Sequence, residues 1–232
     1  MQWKNLAAPT WQGRISNQAA KEAVAAQIAS HAEDGQVVGI GYGSTSFLAL
    51  LALARRVHEE GLQLRCVPTS QEIATYCTDL GLAVTSLLNA RPDWCFDGAD
   101  EVDPDDNLIK GRGGAFVREK LVFAAAPERF ILVDESKFVP RLGANFAVPL
   151  EVIPEAANLV AATLREALGV APTVRPAGGK DGGVITEQGG LIMDLPLEGS
   201  TTAAELNILL QTTPGITGTG LFTGYPLTVL KG

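Results

Sequence analysis

The stretch "QVVGIGYGSTSFLALLALARRVHEE", residues 36–60, combines the two patterns that decide the fold. Its opening, "QVVGIGY", is a short apolar run of the kind found in buried strands. In the following segment, "STSFLALLALARRVHEE", apolar residues recur at helical spacing. The glycines between the two segments allow a tight turn. The stretch therefore predicts a buried strand that turns directly into a helix.

The same alternation extends through the first half of the chain. Asn17 can cap a helix that runs to about His31, and another helix is predicted from about Ser70 to Leu80. Further strands are predicted at "LQLRCVP", "DWCF" and "RFILVD". Strands separated by helices predict right-handed crossovers, and so an α/β fold with a mostly parallel, Rossmann-like sheet flanked by helices.

The pattern changes after "NFAVPLEVIP", where glycine-rich turns separate short β-prone runs. Helices are predicted from about Glu155 to Leu168 and over "TAAELNILLQ". These elements predict a second, smaller α+β domain. We assign residues 143–213 to it and residues 1–142 and 214–232 to the main α/β domain, which the final strand is expected to rejoin.

Composition and charge exclude several classes of protein. The 232 residues are 46% hydrophobic and 19% charged, which is too apolar for a disordered chain. The formal net charge of -8 argues against a broad surface for nucleic acid or for an anionic membrane. The expected partner is therefore a small molecule.

The cysteines and the amino-terminal segment indicate where in the cell the protein is expected. Cys66, Cys77 and Cys95 are odd in number and lack the spacing of a zinc site, which favours reduced core thiols. The opening "MQWKNLAAPTWQGRIS" has no long apolar run to serve as a signal peptide, and no later segment approaches a membrane span. We therefore expect a cytoplasmic protein.

The turn "GIGYGSTS", residues 39–46, has the composition of an anion-binding loop. Backbone amides and the hydroxyls of Ser44, Thr45 and Ser46 can hold an anion at the positive end of a helix. Phosphate or another small anion is favoured, and a plain tight turn is the alternative. A dinucleotide fits poorly, because Ser44 stands where that fingerprint has its third glycine and no acidic residue ends the next strand.

Two further loops carry lysines. In "KGRGGA", residues 110–115, glycines let backbone amides approach a ligand, and Lys110 could neutralise an oxyanion. The segment "VDESK" places Lys137 after the strand "RFILVD". Taken alone, each loop is more typical of a surface loop with a solvated lysine. Loops after the carboxyl ends of parallel strands converge on one crevice, so we expect these two, the turn at 39–46 and the loop with Asp97 to meet.

The stretch "DWCFDGADEVDPDDN", residues 93–107, holds seven acidic residues. Carboxylates could bind a hard cation, but the stretch lacks the glycine and terminal glutamate spacing of a calcium loop, so no metal is expected. The two histidines, His31 and His58, fall near predicted helix ends rather than strand ends. A general base is therefore expected to be a carboxylate or an unusual lysine.

Several of these motifs follow one another in a fixed order from about Lys21 onward: "GYGSTS", "DGADEVD", "KGRGGA" with "REK" after it, "VDESK", "PLEVIP" and "GLF". In this order and spacing the chain resembles the ribose-5-phosphate isomerase type A family. The resemblance implies reversible conversion of ribose 5-phosphate to ribulose 5-phosphate in the pentose phosphate pathway, without a metal or cofactor. It also implies a homodimer or homotetramer.

The resemblance implies a set of site residues as well. Glu119 of the "REK" segment is the expected general base, and Asp97, Asp100 and Lys110 are the expected residues around the sugar. The residues expected to bind substrate are Tyr42, Gly43, Ser44, Thr45, Gly98, Ala99, Gly111, Arg112, Gly113 and Lys137.

Two positions depart from the family pattern, which usually has a threonine in place of Tyr42 and a glycine in place of Arg112. Both changes add bulk, so the pocket is expected to be narrower or to prefer another acidic ligand. An alternative is therefore a sugar-phosphate-binding protein of altered specificity or without catalysis. A further alternative is acyl or CoA transfer with a glutamate nucleophile.

Overall fold

The computed structural model describes residues 15–199 and 201–232. The expectation about a signal peptide falls mainly on residues 1–14, which lie outside the described residues. None of the described helices is long and apolar enough to cross a membrane.

Helices and strands alternate in the first half of the chain and mix less regularly in the second. The helices are α1 (Gln18–Ser30), α2 (Ser44–Glu60), α3 (Gln71–Asp79), α4 (Phe116–Ala125), α5 (Ala157–Leu168) and α6 (Ala203–Thr212), with short 3-10 helices at Glu135–Lys137 and Pro154–Ala156. The strands are β1 (Val37–Ile40), β2 (Arg65–Pro68), β3 (Ala83–Val84), β4 (Trp94–Asp97), β5 (Glu101–Val102), β6 (Leu108–Ile109), β7 (Glu128–Val133), β8 (Val148–Val152), β9 (Thr173–Val174), β10 (Leu191–Leu195), β11 (Ile216–Thr219), β12 (Leu221–Phe222) and β13 (Thr228–Lys231).

The chain separates into two compact units, each built from distant segments. The first comprises the described part of residues 1–98 with residues 119–136 and 226–232, and the second comprises residues 99–118 and the described part of 137–225. The boundaries of these units differ from the domain boundaries predicted from the sequence. The predicted boundaries stay a prediction. The difference arises because β5, β6 and β12 pair with one another within the second unit.

The first unit is a parallel sheet with the strand order β13-β7-β4-β1-β2-β3. Every neighbouring pair in it is parallel, as the α/β pattern predicts, and β13 pairs with β7 as expected for the returning strand. Because β1 has β2 on one side and β4 on the other, the strand order reverses at β1. Ligands of open parallel sheets bind outside the carboxyl ends of the strands at such a reversal.

The core of the first unit is apolar on both faces of the sheet. Val38 and Ile40 of β1 are fully buried in one cluster with residues of α1, α2 and α3. Gly39 lies between them, and a Cβ there would stand 2.5 Å from Cγ1 of Val122 and 2.6 Å from Cβ of Cys95. The glycine therefore allows α4 to pack closely on β1. Cys66, Cys77 and Cys95 are buried free thiols, as expected.

The second unit contains two antiparallel sheets, with the orders β11-β8-β10-β9 and β12-β6-β5. Leucines and valines of α5, α6, β8 and β10 form its core, among them Leu150, Leu164, Leu195 and Leu210. Antiparallel strands with a few helices confirm the predicted smaller α+β part of the fold.

Candidate functional site

The turn between β1 and α2 requires glycine at two positions. A Cβ on Gly41 would lie 2.3 Å from Cγ of Asp97, and Gly43 has a φ of +119°. Gly43 is the N-cap residue of α2, and as a glycine it has no side chain with which to cap the helix start. The first turn of α2 therefore presents its amides as anion-binding helix ends do.

A buried lysine from α1 reaches the start of α2. Lys21 is only 7% exposed, and its Nζ lies 3.1 Å from Oγ of Ser44 and 3.7 Å from Oδ2 of Asp134. The neighbouring Thr45 is buried as well. A cation and hydroxyls at a helix amino terminus form a positive site suited to a phosphate.

Asp134, which follows β7, holds this lysine in place. Burial acts to raise the pKa of Asp134, but hydrogen bonds from Ser136 and the charge of Lys21 outweigh it, so the pKa lies below its ordinary value. Asn17 precedes α1 as predicted, but its side chain bonds to Asp134 instead of capping the helix. Asp134 is therefore ionised at neutral pH and fixes Lys21 beside Ser44.

Asp97 is a buried carboxylate at the end of β4. Its Oδ1 accepts hydrogen bonds from the amides of Tyr42 at 3.1 Å and Gly98 at 2.7 Å. The parallel register that pairs Ile40 with Phe96 brings Asp97 beside the turn after β1. The backbone of that turn therefore sets the orientation of the carboxylate.

Glu119 lies in the first turn of α4 and is only 4% exposed. It acts electrostatically on Tyr42, whose pKa is raised to about 12 by burial, by the charge and hydrogen bond of Glu72, by Tyr76 and by the charge of Glu119. The Tyr42 ring packs against the core of the first unit, and its hydroxyl donates to Glu72 on α3. Glu119 is thus a buried carboxylate within electrostatic reach of the turn after β1.

In the second unit, Asp100 directly precedes β5 and Lys110 directly follows β6, so both adjoin the same end of the β5–β6 hairpin. Glu101 pairs with Ile109, and the amide of Asp100 also donates to the carbonyl of Ile109, at 2.8 Å. Lys110 is only 3% exposed, and its Nζ lies 5.7 Å from the centre of the Phe222 ring. The carboxylate of Asp100 and the buried Lys110 therefore belong to the same end of the hairpin.

The glycine-rich turn after Lys110 is bound to Asp100 through its backbone. Gly111 has a φ of +104° and packs on Phe116, and the amide of Arg112 donates to Oδ2 of Asp100 at 3.3 Å. The Arg112 side chain is exposed beside a cavity of about 390 Å³. The residues that line this cavity are Asp100, Arg112, Asn145, Phe146, Ala147, Pro149, Arg175 and Asp194.

The remaining predicted residues of the second unit occupy its surface. Lys137 ends a 3-10 helix, and its Nζ lies 5.8 Å from the centre of the Phe146 ring. Ala99 is half-buried and Gly113 is exposed. The backbone amides near Phe146 are themselves held, because the fully buried Glu101 carboxylate accepts bonds from Gly143 at 2.6 Å and from Phe146 at 2.9 Å.

Comparison with known proteins agrees with these motifs. A family model described as ribose 5-phosphate isomerase A (phosphoriboisomerase A) matches residues 65–232. The ribose-5-phosphate isomerase A of Methanothermobacter thermautotrophicus is 41% identical, over 91% of this chain and 93% of its own. That of Synechococcus sp. is 42% identical, over 91% and 92%. The chain belongs to the ribose 5-phosphate isomerase A family.

Solved structures of ribose 5-phosphate isomerases share the fold. The enzyme of Methanocaldococcus jannaschii is 38% identical with a TM-score of 0.89, covering 94% of this chain and 96% of that one. A D-ribose-5-phosphate isomerase in complex with phospho-erythronic acid is 32% identical with a TM-score of 0.88 and the same coverage. The predicted α/β fold with a smaller α+β part is thereby confirmed. The non-catalytic and altered-specificity alternatives are not favoured.

The expectation that all four loops of the ribose 5-phosphate isomerase A site follow strands of the parallel sheet is wrong for one of them. Three of the four loops follow β1, β4 and β7, which are neighbours in one parallel sheet, so their carboxyl ends share an edge. The loop at residues 110–115 instead follows β6, a strand of an antiparallel hairpin. The convergence rule for parallel strands does not apply to that loop.

Sequence reasoning overlooked Lys21, although the helical pattern contained a signal for it. Lys21 shares the buried face of α1 with Val24, Ala25 and Ile28, at positions i, i+3, i+4 and i+7. A lysine within an apolar stripe requires a partner when it is buried. That partner, Asp134, follows a strand more than one hundred residues later, so no local pattern could name it.

The acidic stretch divides into residues with separate roles. Asp97 and Asp100 have the contacts described above, whereas Asp103 accepts bonds from the amides of Asp105 at 3.0 Å and Asn107 at 2.8 Å and so stabilises its own turn. Among the described residues, no group of three or more His, Cys, Asp or Glu is placed to hold a metal ion.

Proposed function

We propose that the protein is an aldose-ketose isomerase that interconverts ribose 5-phosphate and ribulose 5-phosphate, a reaction of the pentose phosphate pathway. Membership of the family supports this substrate pair. The single observation that carries the chemistry is the buried carboxylate of Glu119 in electrostatic reach of the turn after β1.

The proposed base is Glu119. Its carboxylate takes the proton from carbon 2 of the open-chain aldose, which leaves an enediolate, and then returns that proton to carbon 1. A hydroxyl proton passes from oxygen 2 to oxygen 1 in the same conversion, so the product is the isomeric 2-ketose. Burial makes a carboxylate a better proton acceptor, because it disfavours the charged form.

Other residues are proposed to orient and stabilise the reacting sugar. Asp97 and Asp100 would open the sugar ring and hold its hydroxyls, since each carboxylate is itself oriented by a backbone amide. Lys110 would stabilise the enediolate oxygen, and a well-placed donor of this kind contributes about 3 kcal/mol to other enzymes. The proposed supporting residues on these loops are Gly98, Ala99, Gly111, Arg112 and Gly113.

The phosphate is proposed to bind at the start of α2. The amides and hydroxyls there come from Gly43, Ser44 and Thr45, and the buried Lys21 supplies a positive charge at 3.1 Å from Ser44. Tyr42 contributes through its backbone, and Lys137 is proposed as a second cation for the substrate. A fixed phosphate anchor holds the reacting carbons in place for proton transfer.

The location, the oligomeric state and the partner of the protein are proposals too. We propose a cytoplasmic homodimer or homotetramer whose partner is a small sugar phosphate rather than nucleic acid or a membrane. The formal net charge of -8 supports the choice of partner, because a strongly acidic protein repels polyanions.

The test is a coupled isomerase assay on purified protein with ribose 5-phosphate. We expect turnover by the wild type and a loss of nearly all turnover in Glu119→Gln, which removes the proton acceptor while keeping the size of the side chain. The matched control is Glu166→Gln, an equal charge change at an exposed position of α5. Full activity of Glu119→Gln would remove Glu119 from the role of base.

A further inference from the structure

The side chain of Arg175, which follows β9, binds the glycine-rich turn at residues 110–115. Its Nη1 donates to the carbonyl of Arg112 at 2.8 Å and to that of Gly111 at 3.4 Å. On its other side, its Nε donates to Oδ2 of Asp194 at 2.8 Å and its Nη2 donates to Oδ1 of the same carboxylate. One planar guanidinium therefore connects the turn to β10.

The backbone of Arg175 and that of its partner Asp194 are both held by neighbouring segments. The amide of Arg175 donates to the carbonyl of Ile192, and the carbonyl of Arg175 accepts from the amide of Val184, both at 2.9 Å. Asp194 lies in β10, where it is paired with Pro149 on one side and Thr173 on the other. A two-point arginine–carboxylate pair is rigid and directional, which a lysine cannot reproduce.

The contacts of Arg175 meet those of Asp100 on one peptide group. The Gly111–Arg112 peptide offers its carbonyl to Arg175 and its amide to Oδ2 of Asp100 at 3.3 Å. Gly111 has a φ of +104°, and because glycine adopts many backbone conformations, its own geometry does little to fix the orientation of this peptide. Its direction is thus set from both ends.

We propose that Arg175, aligned by Asp194, is a positioning residue for the isomerisation. It holds the Gly111–Arg112 peptide so that Asp100 and the amides of the turn keep the orientation that the transition state requires. This inference rests on the proposed function, although the restraint on the turn can be measured without any substrate. Arg175 is not itself proposed to touch the sugar.

The test compares Arg175→Gln and Arg175→Lys with Arg165→Gln, an exposed arginine of α5 in the same unit. We expect Arg175→Gln to lower kcat at least about tenfold with little change in KM, because misplacement of a catalytic group lowers the rate of the bound complex. Arg175→Lys should recover only part of the loss, and Arg165→Gln should behave as wild type.

Hydrogen exchange of the turn amides supplies a readout that is independent of activity. We expect exchange at residues 111–114 to accelerate at least about tenfold in Arg175→Gln and to stay unchanged in Arg165→Gln. Unchanged exchange would overturn the proposal even if the protein had no isomerase activity. Faster exchange with an unaltered kcat in an active protein would overturn it too, since the restraint would then be structural only.

Discussion

At the scale of the residue, the site depends on backbone atoms more than on the side chains that mark it in the sequence. The amide of Tyr42 orients Asp97, and the amide of Arg112 contacts Asp100. Tyr42 and Arg112 are the two positions at which the sequence predicted added bulk in the pocket. Because every residue except proline has a backbone amide, these two contacts do not depend on which side chain stands at either position.

Gly41 lies where the backbone passes close to the Asp97 carboxylate, so a larger residue is not accommodated there. We expect Gly41→Ala to lower the free energy of unfolding by about 1–3 kcal/mol, since its Cβ would lie 2.3 Å from Cγ of Asp97 and 2.5 Å from the carbonyl oxygen of Phe96. Urea denaturation measures this loss, and the isomerase assay should show a lower kcat as Asp97 moves. Gly178→Ala is the control, because a Cβ there meets nothing within 4 Å.

At the scale of the element, helices α6 and α2 differ in whether their first backbone amides are capped. Helix α6 begins with a complete capping box, in which Thr202 accepts from the amide of Glu205 at 3.2 Å and Glu205 accepts from the amide of Thr202 at 3.0 Å. Helix α2 begins at Gly43, whose missing side chain can cap nothing. The helix that stabilises the fold satisfies its own amides, whereas the helix at the proposed phosphate site presents them.

The cap of α6 leads to a prediction about stability. We expect Thr202→Ala to lower the free energy of unfolding by about 1 kcal/mol, because the amide of Glu205 loses its partner. Thermal unfolding measures the change, with Thr201→Ala as an exposed neighbour that makes no cap. Isomerase activity at moderate temperature should be unaffected, and an equal loss in both variants would contradict the role of the cap.

At the scale of the whole molecule, the strength of the sequence patterns decided what could be predicted. The β1–α2 stretch carries a continuous apolar strand and a long amphipathic helix, so the parallel sheet could be predicted directly. The β5–β6 hairpin consists of two-residue strands, too short to show a period, and the loop after it was assigned to the wrong kind of sheet. The contacts Lys21–Asp134 and Arg175–Gly111 join distant segments that no local pattern links.

The dependence of folding on pH is a property of the whole chain, and Asp134 contributes to it with a definite sign. Its folded pKa is lower than that of an unfolded aspartate, about 3.9, so the unfolded state binds more protons in this range. The stabilisation is complete above the unfolded pKa and is lost as the pH falls through the folded one. We expect Asp134→Asn to flatten the acid limb of stability against pH, measured by thermal unfolding between about pH 2 and 6. Asp79→Asn, an exposed change in the same unit, should leave the acid limb as in wild type.

The place of β13 in the sheet has a consequence for the order in which the protein is made. Thr228–Lys231 forms the edge strand beside β7, and the chain between these strands includes the whole of residues 137–225 of the second unit. A ribosome therefore synthesises all of the second unit before the first can complete its sheet. During translation, the exposed edge of β7 is a site at which a chaperone could act or at which nascent chains could pair wrongly.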